Sequence, residues 1–310
     1  MKAKFTGHDT FPLRYGWLYK AANYLNSNKK LTTSNEISTR KAIVGLGVGK
    51  NMVNAIRYWA ESSSIIASDG ESISRDGLYL FGNNDTEGKD PYLEKLGSVW
   101  LLHFWLNFNY EHLTAYRYFF NYSNVQHFEK GKLLDDCSEG VKGLITGSIS
   151  NVSTIKKDID CFLNTYCRKQ RATKNNAGIN EDHFSSPLSE LHLLQDYGGG
   201  FYVSNLAARP DLPIEIFIYG LIRFVQFETT ESKVNSIDFD SLLTKPCSPG
   251  RIFRLSESGL GQKLDEAQEF SKGNIAWIDS LGLRQVRLEQ KTLDNPNDFL
   301  DTFYRGSLHA

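Results

Sequence analysis

One stretch near the amino end, residues 46–59, most constrains what this chain can fold into. On a helix that begins at Lys50, its apolar side chains recur with helical period and form one stripe. We expect that stripe to be buried; its members are Met52, Val53, Ile56 and Trp59. The opposite face carries four hydrogen-bond donors and no carboxylate, namely Lys50, Asn51, Asn54 and Arg57. Such a face suits a DNA groove, because Arg pairs with guanine, Asn with adenine and Lys with phosphate.

The residues before this helix predict a helix-turn-helix. Residues 36–45 predict a short helix, and Gly47 and Gly49 allow a tight turn between the two helices. Arg40 and Lys41 lie on the first helix, and we add them to the predicted DNA contacts.

The residues after it predict a wing. Ile65-Ile66 and Ser72-Ile73 are expected as two strands that flank a hairpin turn at Asp69-Gly70. Ser74 is expected to cap a last short helix. The alternative is a winged helix that serves protein contacts or packing only.

Charge supports the DNA interpretation of this end. Residues 1–60 hold ten basic and two acidic residues, so 10 − 2 = +8. The whole chain has 35 basic and 36 acidic residues, which leaves 25 − 34 = −9 for the remainder. This unequal distribution of charge would orient the molecule on a polyanion and confine the contact to the amino end.

The chain as a whole predicts a mostly helical α+β protein with three domains. We expect a winged-helix DNA-binding domain at 1–85, an aromatic-rich helical domain at 90–195 and a C-terminal α+β module at 196–310. The rings between 99 and 122 fit two helices broken near 107–109, and a helical core is favoured over stacking on unpaired bases. The C-terminal module is expected to be winged-helix-like, with a turn that leads into an extended segment at 248–255 and with Ser256 capping a helix that runs to about Phe270. Since that helix is acidic, the module suits protein partners or a homodimer contact rather than DNA.

Composition excludes several other classes. No apolar leader opens the chain, and no apolar run approaches the roughly 20 residues of a membrane span. The cysteines lack zinc-knuckle or disulfide-framework spacing; they are Cys137, Cys161, Cys167 and Cys247. We therefore expect a cytoplasmic protein with reduced thiols and no membrane contact.

Eight motifs resemble a known family over nearly the whole length of the chain. They are Gly7-His-Asp-Thr-Phe11 with Arg14-Tyr-Gly-Trp17, Leu46-Gly-Val-Gly-Lys-Asn-Met-Val53, Ile56-Arg-Tyr-Trp59, Asp90-Pro-Tyr-Leu-Glu94, Trp100-Leu-Leu-His103, Phe162-Leu-Asn-Thr-Tyr166, Glu181-Asp182 with Pro187-Leu-Ser-Glu-Leu191, and Ser248-Pro-Gly-Arg-Ile-Phe-Arg-Leu255. Their order and spacing resemble the SspB-like DUF4007 family. One departure is Asp9, which stands where that family commonly has Glu.

The resemblance implies a role in bacterial DNA phosphorothioate modification and phage defence. It implies action beside a cysteine desulfurase, an ATPase and a sulfur-transfer enzyme of the PAPS-reductase type. For the SspB type it implies nicking of double-stranded DNA, which opens the backbone for sulfur insertion.

Phosphodiester cleavage needs an activated nucleophile and cations that balance the developing charge, commonly metals held by carboxylates. The candidates are His8 and Asp9 as base and acid or metal ligand, Arg14 as phosphate clamp, and Asp182. Further carboxylates are Glu181, Glu190, Asp158 and Asp160. A nickase would use Mg²⁺ or Mn²⁺, and a protein without this activity would need no cofactor.

Each candidate also has a structural interpretation. The His8-Asp9 pair suits hydrogen bonds to neighbouring backbone, and Glu181-Asp182 suits a helix cap. The sequence contains no recognised nuclease signature, so it leaves open whether the protein is an enzyme. The hypothesis is a DNA-binding component that nicks DNA for sulfur insertion. The alternatives are a non-catalytic adaptor that recruits the sulfur-transfer enzyme, and a winged-helix transcriptional regulator.

Overall fold

The computed structural model describes residues 1–27, 30–148, 150–168, 186–229, 235–280 and 282–306. They form a mixed α+β structure that is mainly helical, as predicted. The chain divides into two compact units, Met1–Phe119 with Ser123–Ser204 and Phe120–Tyr122 with Asn205–Ala310. The three-domain boundaries that we expect from sequence stay a prediction.

The described part of the first unit combines helices with two small sheets. Its helices are α1 (Trp17–Asn26), α2 (Glu36–Leu46), α3 (Lys50–Ser62), α4 (Arg75–Phe81), α5 (Leu96–Asn107), α6 (Ala115–Asn121, of which Phe120 and Asn121 belong to the second unit), α7 (Lys130–Leu144), α8 (Val152–Tyr166) and a 3-10 helix at Pro187–Leu191. Its strands are β1 (Lys2–Ala3), β2 (His112–Leu113), β3 (His127–Glu129), β4 (Gln195–Gly198) and β5 (Phe201–Val203). β1 pairs in parallel with β2, and β3, β5 and β4 form an antiparallel sheet in that order.

The two helices predicted around Gly47 are confirmed. The Asn35 side chain accepts a hydrogen bond from the Ser38 amide and so begins α2. Gly47 ends α2 in the left-handed conformation, with φ of 66°, which favours glycine. Gly49 precedes α3 with an extended φ of −69°. Of the two glycines predicted to allow the turn, only Gly47 therefore needs the conformational freedom of glycine.

The predicted wing is shorter than two strands. Ile66 and Ile73 form one isolated antiparallel bridge, and Gly70 turns the chain between them with φ of 67°. The Ser74 hydroxyl accepts a hydrogen bond from the Gly77 amide at 2.9 Å, which confirms the predicted cap of α4.

The aromatic stretch at 99–122 contributes to the buried core. The predicted helices appear as α5 and α6 with the break at 108–114. Most of the rings are buried, including Trp100, Phe104, Trp105, Tyr116, Tyr118, Phe119 and Phe120. These buried rings pack against one another in the interior, so they do not offer an open surface on which a base could stack.

The second unit contains six helices and one sheet among its described residues. They are α9 (Ile214–Glu228), α10 (Phe239–Thr244), α11 (Pro249–Ile252), α12 (Glu257–Phe270), α13 (Gln290–Asp294) and α14 (Asn297–Gly306), with β6 (Ser236–Asp238), β7 (Ile275–Ser280) and β8 (Leu283–Leu288). The strands form an antiparallel sheet in the order β6-β8-β7.

One local expectation for this unit is wrong and another is confirmed. The turn and extended segment predicted at 248–255 are wrong, because the structure has the short helix α11 there. The Ser248 hydroxyl accepts a hydrogen bond from the Arg251 amide, and Pro249 suits the first turn of a helix. Ser256 caps α12 through the Gly259 amide, as predicted. The acidic side chains of α12 are exposed; they are Glu257, Asp265, Glu266 and Glu269. Across the described ranges, none of the helices is both long and apolar enough to span a bilayer.

Candidate nucleic-acid interface

α3 lies against the core by one face, as predicted, but the buried stripe is displaced. Val53, Ile56 and Trp59 are buried, whereas Met52 is half-exposed. Ala55, Tyr58 and Ala60 join the buried side instead. A helix that buries this much of its surface leaves a narrow outer face, which begins at Lys50 and Asn51.

The amino end of α3 carries exposed positive charge. Lys50 opens the helix, although a cation in the first turn opposes the helix dipole. The preceding residue, Gly49, has no side chain that could satisfy the first amides of the helix. Arg40 and Lys41 of α2 are also exposed, and within the described ranges none of these three cations forms an ion pair. Free amides and unpaired cations suit an anion.

Arg57 is tied within the protein. Its Nε donates to Glu61 Oε1 at 2.6 Å, and its Nη2 lies 3.4 Å from the Ser68 carbonyl oxygen. Glu61 also holds Lys4, with Nζ and Oε2 3.5 Å apart. Burial lowers the pKa of Lys4, and Glu61 opposes that shift. The carboxylate of Glu61 therefore lies on the face where the sequence pattern predicts only the four donors.

Asn54 is tied as well. Its Nδ2 donates to Asp9 Oδ2 at 2.9 Å, and its Oδ1 accepts from the Thr33 hydroxyl at 2.8 Å. The first contact joins a residue predicted to bind DNA with a residue predicted to be catalytic. Asp9 itself is exposed.

The segment 7–10 holds Asp9 in place through unusual backbone geometry. Gly7, Asp9 and Thr10 all have positive φ, at 114°, 46° and 64°. A Cβ on Gly7 would lie 2.8 Å from the Tyr58 ring, so this position requires glycine for space as well as for φ. Non-glycine residues rarely adopt this conformation, and it persists only where surrounding contacts enforce it.

His8 supplies one of those contacts from inside the molecule. Its side chain is 3% exposed, and its Nδ1 accepts from the Thr10 amide at 3.0 Å. That bond places the ring proton of neutral His8 on Nε2, which lies 3.0 Å from Asp158 Oδ1. The second oxygen of Asp158 accepts from the Ala115 amide at 2.6 Å. His8 therefore connects the segment to α8 and α6.

Among the other candidates that the structure describes, Arg14 does not join this cluster. Arg14 packs on two rings, with its guanidinium 5.6 Å from the Phe11 ring centre and 5.3 Å from that of Trp17. Asp182 and Glu181 lie outside the described residues. The structure thus brings Asp9 to Asn54 and His8 to Asp158, and it separates the partners of His8 from those of Asp9.

Two contacts were not predicted from the sequence, and only one of them has a signal in the sequence that could have predicted it. Glu61 follows Arg57 by four residues, so helical spacing is a signal that predicts their pairing. The pairing of His8 with Asp158 joins residues 150 positions apart, and no local pattern indicates it.

The described residues do not form a complete metal site. Among them no group of three or more His, Cys, Asp or Glu side chains is placed to hold a metal ion. Asp9 is accessible as a single carboxylate, while both oxygens of Asp158 already have partners. Burial raises the pKa of the Cys137 and Cys167 thiols to about 12, which makes them poor thiolate nucleophiles or ligands.

Comparisons with known proteins place the chain in a family. Residues 5–304 match the model of DUF4007, described as a protein of unknown function. A search of curated proteins gave no match. The structure is similar to an SspB crystal structure, with 29% identity, a TM-score of 0.79 and coverage of 98% of this chain and 89% of that one. It is also similar to a magnesium ion-bound SspB crystal structure, with 28% identity, a TM-score of 0.78 and the same coverage. Since the family model spans nearly the whole sequence, this protein belongs to the DUF4007 family.

Proposed function

We propose that this protein is the DNA-binding component of a bacterial DNA phosphorothioate-modification and anti-phage system, and that it nicks duplex DNA so that sulfur can enter the backbone. The observation that carries the proposal is the contact between Asn54 of α3 and the exposed Asp9. It unites a helix face suited to DNA with an accessible carboxylate. The similarity to SspB structures supports the assignment of this protein to such a system.

In this proposal the first unit docks as a winged helix-turn-helix. α3 enters the major groove by its amino end, where Lys50 and Asn51 are exposed. The free amides of its first turn and the side chains of Arg40 and Lys41 contact phosphates on the flanks.

Asn54 and Arg57 contribute differently from the exposed residues. Each must exchange an internal partner, Asp9 for Asn54 and Glu61 for Arg57, before it reaches a base. That exchange reduces the net binding free energy of each contact, because a hydrogen bond within the protein is lost when the hydrogen bond to DNA forms. Lys50 and Asn51 are therefore the main anchors.

Asp9 is the proposed general base for nicking. As an exposed carboxylate next to the groove helix, it is placed to accept a proton from an attacking water. The water oxygen would bond to phosphorus while one P–O bond to a sugar breaks, and the released sugar oxygen would take a proton from solvent water. His8 is buried, so its role is to hold the segment rather than to touch the substrate. Arg14 would clamp phosphate only by leaving its two rings. A requirement for Mg²⁺ or Mn²⁺ is part of the proposal, although the described residues supply no complete site for it.

The proposed partners are the cysteine desulfurase, the ATPase and the PAPS-reductase-like enzyme of such a system, in the cytoplasm. The acidic exposed face of α12 suits a protein partner or a second copy of the chain, because it would repel phosphate.

A plasmid-relaxation assay tests the proposal. Wild-type protein should convert supercoiled plasmid to the nicked form, and the Asp9→Ala variant should lose that conversion. Glu139→Ala serves as the control, because Glu139 is an exposed carboxylate of α7 that pairs with Lys142 and is not a cleavage candidate. Chelation of divalent metal by EDTA should abolish nicking by wild type. Equal nicking by wild type and Asp9→Ala would refute the assigned base.

The second candidate function is the non-catalytic adaptor that brings the sulfur-transfer enzyme to DNA. The burial of His8 favours it, as does the lack of a three-residue metal group among the described residues. An adaptor predicts duplex binding without nicking under every metal condition, in wild type and in all variants.

A further inference from the structure

Three side chains form a hydrogen-bonded series across the outer face of α3. The Thr33 hydroxyl donates to Asn54 Oδ1 at 2.8 Å, and Asn54 Nδ2 donates to Asp9 Oδ2 at 2.9 Å. The three residues come from separate parts of the first unit, since Asp9 lies in the segment at the amino end, Thr33 precedes α2 and Asn54 belongs to α3. The last member of the series is the proposed general base.

The series fixes the orientation of the Asn54 amide. An Asn side chain can turn by half a rotation about its last bond, which exchanges the positions of its carbonyl oxygen and its amino group. The donating hydroxyl of Thr33 needs the carbonyl oxygen, whereas an ionised carboxylate only accepts and so needs the amino group. Both neighbours therefore select the same orientation, which directs an N–H of Asn54 at Asp9.

Each member of the series is carried by an anchored part of the backbone. Asn54 lies between Val53 and Ala55, which are fully buried. Thr33 follows Leu31, which is also fully buried. The segment at the amino end is held by its own buried imidazole. Because three fixed backbones meet at this point, little further ordering is needed before the carboxylate can react.

One oxygen of Asp9 is held and the other is open. Oδ2 accepts from Asn54, and among the described residues Oδ1 has no hydrogen-bond partner. A general base needs a lone pair within hydrogen-bond reach of the proton that it takes. The arrangement leaves Oδ1 for an attacking water while Oδ2 is bound to the protein.

A contact between Asn54 and a DNA base would compete with this arrangement. Asn binds adenine through its carbonyl oxygen and its amino group together. Asn54 already uses these two groups for Thr33 and Asp9. Lys50 and Asn51 lie one turn earlier on α3 and are exposed, so they can contact DNA while the series stays intact.

We infer that Asn54 is a positioning residue for strand cleavage, that Thr33 orients it, and that Asn54 keeps Asp9 as its partner while DNA is bound. This inference rests on the proposed nicking function. In the reaction, the water oxygen bonds to phosphorus and one P–O bond to a sugar breaks. The water proton passes to Asp9 Oδ1 while Asn54 holds Oδ2, and the released sugar oxygen takes a proton from solvent water.

Single-turnover nicking of a supercoiled plasmid, measured over a range of protein concentrations, tests the inference. The measurement separates the rate constant at saturation from the protein concentration at half-saturation. Asn54→Ala should lower the rate constant about 10- to 100-fold, because a displaced base loses the reactive geometry. Its half-saturation concentration should stay within about twofold of wild type, because the lost interaction acts on cleavage and not on binding. Lys50→Ala/Asn51→Ala should mainly raise the half-saturation concentration.

Variants of Thr33 test whether its hydroxyl acts through Asn54. Thr33→Val keeps the branched shape and removes the donor, so the rate constant should fall about 3- to 10-fold. Thr33→Ser keeps the hydroxyl and should restore the rate constant to within about twofold of wild type. Thr39→Val is the matched control, because the Thr39 hydroxyl donates to the Asn35 carbonyl oxygen at 2.8 Å at the start of α2; it should nick as wild type does. Melting temperatures verify that each variant is folded.

The possible results separate this inference from the proposed function. If wild type does not nick with Mg²⁺ or Mn²⁺, the proposed nicking is refuted and the inference falls with it. If wild type nicks and Asp9→Ala does not, while Asn54→Ala and Thr33→Val keep the wild-type rate constant, Asp9 stays the base and only the inference is wrong. If Asn54→Ala raises the half-saturation concentration at an unchanged rate constant, Asn54 contacts DNA and the inference is wrong. If Thr33→Ser is as slow as Thr33→Val, the hydroxyl is not the acting group and the role of Thr33 is refuted.

Discussion

Asn54 donates a hydrogen bond to Asp9 across 2.9 Å, and this bond joins the outer face of α3 to the segment at the amino end. The backbone of Asp9 is left-handed, with φ of 46°, so the carboxylate is held there by surrounding contacts rather than by local preference. The proposed cleavage group therefore depends on the same helix as the proposed groove contacts.

Replacement of Asp9 by Asn should change binding and cleavage in opposite directions. The amide keeps the size of the side chain and removes a negative charge that repels phosphate. Duplex binding at low salt should tighten by about two- to fivefold, while plasmid nicking should fall to background. Weaker binding together with full nicking activity would contradict both assignments of Asp9.

Replacement of Glu61 by Gln should release two cations to DNA. Glu61 pairs with Arg57 and with Lys4. Without its charge, duplex affinity should rise, and the slope of log affinity against log salt should steepen by about 1 to 2. The control is Glu139→Gln, which removes an exposed pair with Lys142 on α7. An unchanged slope would show that neither cation reaches a phosphate.

Loss of the His8 side chain should destabilise the first unit. In His8→Ala, the buried Asp158 keeps the Ala115 amide as a partner but loses the imidazole. Removing a close polar partner from a buried carboxylate costs about 1–3 kcal/mol, so the free energy of unfolding should fall by that amount. Chemical denaturation measures it, with Asp160→Asn as an exposed control. A change below about 0.5 kcal/mol would argue against the pairing.

Stability should decline in mild acid partly because of His112. Burial lowers the pKa of His112 below its ordinary value of 6.5, and the positive charges of Lys4 and Arg117 add to that shift. The unfolded chain then binds a proton more readily than the folded protein does. Stability is therefore lost as the pH falls through about 6.5 and is not lost further below the folded pKa. Between pH 8 and about pH 5.5, the melting temperature of the His112→Gln variant should fall by less than that of wild type. An identical loss in both proteins would contradict this assignment.

Local patterns predict much of this fold. Helical period and caps indicate α2, α3, α4 and α12 at nearly their observed bounds, because each depends on residues close in sequence. The wing is weaker than predicted, since strand pairing beyond one bridge depends on neighbours that sequence does not reveal. The helix at 249–252 is missed because a Ser-Pro start is shared by turns and helices.

The candidate site is less predictable than the fold. Sequence places Lys50 and Asn51 on an outer face, and the structure agrees. It does not reveal that His8 turns inward while its neighbour Asp9 stays exposed, because positive φ at 9 and 10 breaks the local pattern.

The central claim is that the exposed start of α3 grips duplex DNA, and a salt titration of binding tests it most directly. Anisotropy with a paired duplex should show that Lys50→Ala/Asn51→Ala binds at least tenfold more weakly than wild type and has a shallower salt slope, by about 1. The control Lys291→Ala removes an exposed lysine of α13 in the other unit and should match wild type. If the double variant keeps wild-type affinity and slope, α3 does not contact DNA and the account is wrong.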